Sequence, residues 1–352
     1  MKSPVYNDDT LNTYLELLQY VAFAVSMVMN LDVLYFILKT GHSKFGTYRW
    51  FLLVFCVFDL YYALMHFVIL PVPEIHRNAY VMGATGFWTS RFAMSWWMSV
   101  YSMCFPLLSF NFIYRYVAIL HAHHVRRLSE RPAIIAMVVF TVVYAYFWFW
   151  VADYLYGSDD FALEYTRGLY LGEYDHQTLV HHDISEQKNA ILAVVWRNGT
   201  WHGPIWKTII GGAAYTVLMF GIYGFLLLTS LLIIRYMYIN TRSDKAMRLQ
   251  RQLFKAIVYQ AVAPLITSYI PISLCCLVPL IGFEHPWFSV VIPPFCSSHP
   301  LFDGFIMLTT ITHFRKMFIQ QITFGYFNKP PKTKEISVSS SALGTAAAPR
   351  IK

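Results

Sequence analysis

The chain is patterned as long apolar runs separated by short polar stretches, with little of the strict alternation that marks a half-buried strand. Thr208 to Ile234 carries no Asp, Glu, Lys or Arg over 27 residues, Ala256 to Phe283 none over 28, Phe92 to Tyr114 none over 23 and Ala133 to Ala152 none over 20. A helix needs roughly 20 residues to cross a bilayer, so each run is long enough to span. Tyr14 to Leu38, Arg49 to Leu70 and Pro286 to Thr312 are similarly long, and each contains one aspartate: Asp32, Asp59 and Asp303. Seven spans are predicted, at about 14–38, 49–70, 92–116, 133–156, 208–234, 254–283 and 286–312. Continuous runs of this length argue against a barrel, whose strands alternate over about ten residues. The expected fold is an all-α membrane protein, a seven-transmembrane helix bundle occupying residues 1–327 with an interfacial helix at 313–327. Residues 328–352 hold too few large apolar side chains to fold and are read as a disordered cytoplasmic tail.

Composition sharpens this picture: 57% of residues are hydrophobic and only 13% charged, about half the usual charged share, which excludes a soluble enzyme. The Lys and Arg residues are unevenly placed. Nineteen of the 27 fall on one side of the bundle and seven on the other, with Arg115 at the foot of the third span as the remaining one. Cytoplasmic connections hold the excess, so the amino terminus is expected outside and the carboxyl tail inside. The net charge of +8 then reflects basic residues beside anionic membrane lipid, and nucleic acid is not needed as a partner. No removable signal peptide is visible in the first 13 residues, and the first span is read as the signal anchor. Asn198-Gly199-Thr200 is a glycosylation acceptor in a loop assigned outside. The five cysteines all fall inside predicted spans, where they read as small buried apolar residues, and the 157–207 loop has no cysteine for a disulfide to the third span.

Charge inside a bilayer is costly and normally faces a polar interior with a partner. Asp59 and Asp303 lie at similar depth in the second and seventh spans. They either share a proton, a sodium ion or a water cluster, or cap two separate polar networks. Arg115 either snorkels to water or latches the third span to the sixth. Pro264 and Pro271 lie inside the sixth span, where a proline removes a backbone hydrogen bond and lets the inner end swing. A ligand cavity in the outer half of the bundle would be lined by Trp97 and Tyr101, Tyr269 and Ser273, and Ser298 and His299, suited to a small neutral or weakly basic molecule. Seven acidic residues between 157 and 207 mildly favour a cationic one.

Four stretches carry a resemblance. Gln252-Leu253-Phe254-Lys255-Ala256 followed by Gln260, Pro264 and Tyr269-Ile270-Pro271 resembles the sixth helix of the nematode seven-transmembrane chemoreceptors called the Str family. Gly46-Thr47-Tyr48-Arg49-Trp50 leading to Phe58-Asp59-Leu60, Phe112-Ile113-Tyr114-Arg115-Tyr116, and Pro300-Leu301-Phe302-Asp303 followed by Phe314-Arg315-Lys316 are similar to its second, third and seventh helices. The resemblance implies a chemosensory G-protein-coupled receptor of ciliated sensory neurons, in the plasma membrane of the cilium, that binds a small environmental or pheromone-like molecule. Its partners would be that ligand and a heterotrimeric G protein, with no cofactor or metal. Asp59, Tyr114, Arg115, Tyr116, Pro264 and Asp303 would then serve activation and coupling. The family usually follows the seventh-helix aspartate with proline, whereas this chain has Gly304.

Two rivals are weaker. His121, His123, His124, His176, His181 and His182 are similar to the histidine clusters of membrane metalloenzymes. The charge count puts the two groups on opposite faces of the membrane, where they share no metal. A seven-helix ligand-gated channel with its amino terminus inside contradicts the same count.

Overall fold

A computed structural model describes residues 9–40, 45–76, 79–84, 86–157, 192–195, 205–239, 245–278 and 286–323. Among the described residues six helices are each long and apolar enough to cross a membrane, and a seventh apolar segment is broken into two halves. The helices are α1 (Asp9–Thr40), α2 (Tyr48–Ile69), α3 (Arg91–Ser102 and Cys104–Leu120) and α4 (Arg131–Trp150, extended by a π turn, Val151–Leu155). There follow α5 (Ile205–Ile239), α6 (Lys245–Pro264, a π turn Leu265–Tyr269, then Ile270–Leu277), α7 (Pro286–Ser297 and His299–Thr310) and a short α8 (Thr312–Ile322). Several helices overrun the predicted spans: α6 begins at Lys245 rather than 254, and α5 runs from Ile205 to Ile239 rather than 208–234. Apolarity marks only the lipid-immersed part of a helix, and backbone hydrogen bonding continues beyond it. Asn198, the tail from 324 onward and His176, His181 and His182 lie outside the described residues.

Prolines explain the breaks. Pro106 lacks the N–H that would bond the Ser102 carbonyl, and α3 is interrupted one residue later, at Met103, whose N–H bonds back to Val100 at 3.1 Å. In α7, Pro293 and Pro294 lie in the first half and Pro300 opens the second, so that neither twelve-residue half spans a bilayer alone. Pro300 also leaves the Cys296 carbonyl without its helical donor, and the Tyr62 hydroxyl of α2 donates to it at 3.3 Å. The Pro300 carbonyl in turn accepts from Asn30 Nδ2 of α1 at 2.8 Å. Gly304 permits that approach, since a Cβ there would lie 3.1 Å from the Met29 side chain and 3.3 Å from the Asn30 amide.

Burial ranks the helices. The most apolar window of α3 is 56% buried and that of α5 only 17%, so α3 is the central post and α5 faces lipid. Val217, Phe220 and Leu227 on α5 are well exposed, which only a hydrocarbon surrounding tolerates on this scale. Helix α8 is pinned to α1: Phe314 is fully buried against Phe36 and Phe45, and Gln321 Nε2 donates to Asp32 Oδ1 at 2.8 Å, which supplies the polar partner of that aspartate.

One element departs from the all-helical expectation. Leu70, at φ 45°, ends α2, and β1 (Pro71–His76) pairs antiparallel with β2 (Ala79–Ala84) from Pro71 opposite Ala84 to His76 opposite Ala79. Strand β3 (Leu192–Val195) adds to the free edge of β2, with Met82 opposite Leu192. Pro71 and Pro73 are accommodated because β1 is an edge strand. The sheet lies over one end of the bundle, packed on α3 and α7. Its exit is clipped to α2 by Gly86 N–H to the Ile69 carbonyl (3.0 Å) and Trp88 N–H to that of Val68 (3.1 Å). A Cβ on Gly86 would sit 2.3 Å from the Val68 carbonyl oxygen. Gly86→Ala is therefore expected to cost about 1–3 kcal/mol, the usual range for overpacking, seen as a lower unfolding temperature of the detergent-solubilised chain. An unchanged temperature would show that the clip is not rigid.

Candidate functional site

Helix α3 carries one buried stripe from the sheet end to the far end. Trp97, Tyr101, Phe105, Leu108, Phe112 and Arg115 recur at three- and four-residue steps, which places them on a single face. Three chemically different levels follow along it.

Nearest the sheet is an aromatic cluster. Trp97 and Tyr101 stack at 5.5 Å, Tyr101 meets Tyr269 edge-on at 4.9 Å, and Tyr269 stacks on Phe105 at 4.5 Å. The π turn after Pro264 carries Tyr269 and faces it inward; in the same region the Ala261 carbonyl accepts from the Tyr223 hydroxyl of α5 at 3.3 Å. From α2, Tyr62 and His66 complete the wall, with rings 6.4 Å from Tyr101 and 5.8 Å from Trp97. Tyr80 and Met82 of β2 are both buried, and β2 packs on the first half of α3.

The middle level is polar. His299 meets the Tyr62 ring edge-on at 5.5 Å, lies 3.9 Å from Cys104 Sγ, and faces Asp303 one turn along α7, Nε2 to Oδ2 at 3.4 Å. Asp303 is 0% exposed and Asp59 2%, and the two carboxyl groups interact electrostatically. Asp59 borders a small cavity with Asn30, Asn111 and Gln260, about 10 Å³ in the volume open to the centre of a water molecule. That is about the space that one water needs, and the polar lining supplies its bonds.

Arg115 forms the third level. It is 1% exposed, so it does not reach out to the headgroups. Its guanidinium lies 3.4 Å over the Tyr48 ring and 5.7 Å from that of Tyr114, and Nη1 donates to Gln250 Oε1 of α6. Nε and Nη2 have no partner among the described residues. Tyr48 also lines the small cavity, so the middle and far levels share a wall.

A seven-span bundle with this internal column narrows the class, and comparison with known proteins decides the family. The family model for the serpentine type seven-transmembrane G-protein-coupled chemoreceptor Str matches residues 15–319. The chain belongs to the Str family. It is 23% identical over 332 residues to serpentine receptor class r-10 of Caenorhabditis briggsae, covering 90% of this chain and 91% of that one. It is 22% identical over 320 residues to serpentine receptor class r-10 of Caenorhabditis elegans, covering 86% and 89%. It is also 21% identical over 306 residues to G-protein coupled receptor str-33 of Caenorhabditis elegans, covering 84% and 86%. The Str chain described here is thus a multi-pass membrane protein of the chemoreceptor type, and the similar proteins carry receptor names rather than enzyme names.

Of the residues expected from the sequence, Trp97, Tyr101, Tyr269 and His299 come together in this Str chain, linked through Tyr62. Ser273 lies half-buried one turn beyond Tyr269, and the Ser298 hydroxyl donates to the Phe295 carbonyl of its own helix at 2.7 Å. Asp59 and Asp303 are both buried and interact electrostatically; Tyr114 packs against Tyr48 at 5.2 Å, whereas Tyr116 turns to His121 at 5.7 Å. The sequence reading missed Tyr62 and His66, although Asp59, Tyr62 and His66 share one helical face and a histidine in mid-span was itself a signal. Tyr80 and Gln250 had no such signal, because the hairpin that carries one and the start of α6 that carries the other lay outside the predicted spans. Asp153 was missed as well: Arg91 grips it bidentately, Nε to Oδ1 at 2.9 Å and Nη2 to Oδ2 at 3.1 Å, joining α3 to the end of α4.

Proposed function

We propose that this chain is a G-protein-coupled chemosensory receptor that binds a small environmental or pheromone-like molecule at the aromatic level and activates a heterotrimeric G protein at the Arg115 end. The observation that carries this reading is the continuity of the buried column. A change at Tyr269 acts on the π turn of α6, and the other half of α6 holds Gln250 against Arg115. Two arrangements of α6 would therefore differ both in the shape of the ligand level and in the freedom of Arg115, which is the coupling of two sites that signalling requires. The middle level of Asp59, Asp303 and His299 lies between them, and either a shared proton, a sodium ion or a water there would differ between the two arrangements.

The lysine and arginine distribution supports an external amino terminus and sheet, with the tail in the cytoplasm, and the family suggests the cilium of a sensory neuron. Expression in cells bearing a G-protein reporter, challenged with a panel of small volatiles and polar metabolites, tests the function. A dose-dependent response is expected, and silence across the panel in surface-expressed protein would count against it. Orientation is checked separately. Asn198→Gln is expected to abolish a glycosidase-sensitive mobility shift, and epitope tags at the two ends should label on opposite faces. Tags on one face would overturn the receptor reading.

A further inference from the structure

Four buried polar groups around the sheet end have no hydrogen-bond partner among the described residues: Trp97 Nε1, Tyr101 Oη, Tyr80 Oη and His66 Nδ1. All four residues are more than nine-tenths buried. They come from three different elements, α3, β2 and α2, and converge. The Trp97 ring contacts both Tyr101 and His66, and β2, which carries Tyr80, packs on the same first half of α3. Burying a polar group without a partner is costly, so this set calls for a polar occupant.

The chemistry of each group restricts that occupant. Indole N–H is a donor only, so Trp97 needs an acceptor. His66 Nε2 faces Gln19 Oε1 at 3.4 Å, and a carbonyl oxygen only accepts, so in the tautomer that makes this bond Nε2 carries the proton and Nδ1 presents a lone pair. Nδ1 therefore needs a donor. The Tyr80 and Tyr101 hydroxyls serve either role. Among the described side chains no charge is free at this level: Asp153 is already held by Arg91, and Asp59 and Asp303 lie at the next level, beyond Tyr62 and His299.

Resting on the receptor reading, we infer that the ligand is an uncharged small molecule carrying both a carbonyl-type acceptor and a hydroxyl-type donor, with the acceptor on Trp97 and the donor on His66, and that Tyr80 makes the β-sheet part of the binding site. The Trp97 and His66 rings are 5.8 Å apart, close enough for one compact molecule to meet both. The aromatic faces around them bury its carbon skeleton. A cationic ligand, mildly favoured by the acidic 157–207 loop, has no free counter-charge here among the described residues.

The test uses matched seven-carbon probes on the purified full-length chain in detergent, with no G protein present: 4-hydroxy-2-heptanone, 2-heptanone, 4-heptanol, heptylamine and heptanoic acid. Binding is read as a rise in unfolding temperature with probe concentration. The hydroxyketone is expected to bind tightest. Trp97→Phe should weaken both ketones about tenfold and leave 4-heptanol little changed, and His66→Phe should remove the advantage of the hydroxyketone over 2-heptanone. Tyr80→Phe, which keeps ring and packing, should weaken the hydroxyketone by a smaller factor and guards against loss through misfolding. The inference is overturned if the amine or the acid binds best, if no probe raises the unfolding temperature, or if the preference survives all three substitutions. Tight hydroxyketone binding with a silent cellular reporter would instead overturn G-protein coupling and leave this inference standing.

Discussion

Arg115→Ala is expected to abolish agonist-driven G-protein activation while the chain still reaches the cell surface, and Gln250→Ala is expected to raise signalling in the absence of ligand. The guanidinium is buried at the end of α3, stacked on Tyr48 of α2 and hydrogen-bonded across to Gln250 of α6. A hydrogen bond to a charged group contributes about 1.5–3 kcal/mol. Gln250 is half-buried, so the lower end applies, and losing it should shift the balance between the two positions of α6 by about tenfold. Arg115→Lys separates charge from geometry. An ammonium keeps the charge but not the planar face that lies on Tyr48, so a partial response is expected. Surface labelling and reporter output, each with and without agonist, check the pair. A Gln250→Ala receptor with unchanged basal output, together with an Arg115→Ala receptor that responds normally, would remove this end of the bundle from the mechanism.

The second large effect concerns the two buried carboxyl groups. Asp59→Asn and Asp303→Asn are each expected to lower the agonist response by tenfold or more, and the double substitution is expected to be no worse than the stronger single one. Asp59 Oδ1 and both Asp303 carboxyl oxygens lack hydrogen-bond partners among the described residues, although His299 lies 3.4 Å from one of them. If the two side chains hold one proton, ion or water jointly, the first substitution already empties the site and the second removes nothing more. Residues that share a network show interaction energies of about 0.5–3 kcal/mol, whereas independent sites add within about 0.3–0.5 kcal/mol. Agonist midpoints and unfolding temperatures of the four proteins give that energy directly. Additive losses would assign Asp59 to its small cavity with Asn30 and Asn111 and Asp303 to His299, as two separate networks.

How much of this could be read in advance depends on the range of the interaction. The spans were visible because each apolar run acts locally against water, and membership of the Str family was visible in short motifs on four helices. Trp97, Tyr101 and Tyr269 were reachable from depth alone. The hairpin was not: Pro71 to Ala84 contains two prolines, and its short strands become a three-stranded sheet only by pairing with Leu192–Val195, more than a hundred residues away. Nor was the fate of Arg115, for which snorkelling and latching were equally compatible with its place at the end of a span.

From its sequence alone this protein is a seven-span Str receptor with costly charge at Asp59, Asp303 and Arg115, because the length of an apolar helix and the expense of a buried charge are properties of single segments in a bilayer. Tertiary structure alone decided which charges meet which partners: Asp32 with Gln321, Asp153 with Arg91, Arg115 with Gln250 and Tyr48. Those pairings follow from the angle and register at which helices pack, set by proline breaks, by close approach at Gly86 and Gly304, and by buried carbonyls such as that of Cys296 that had to find a donor on another helix.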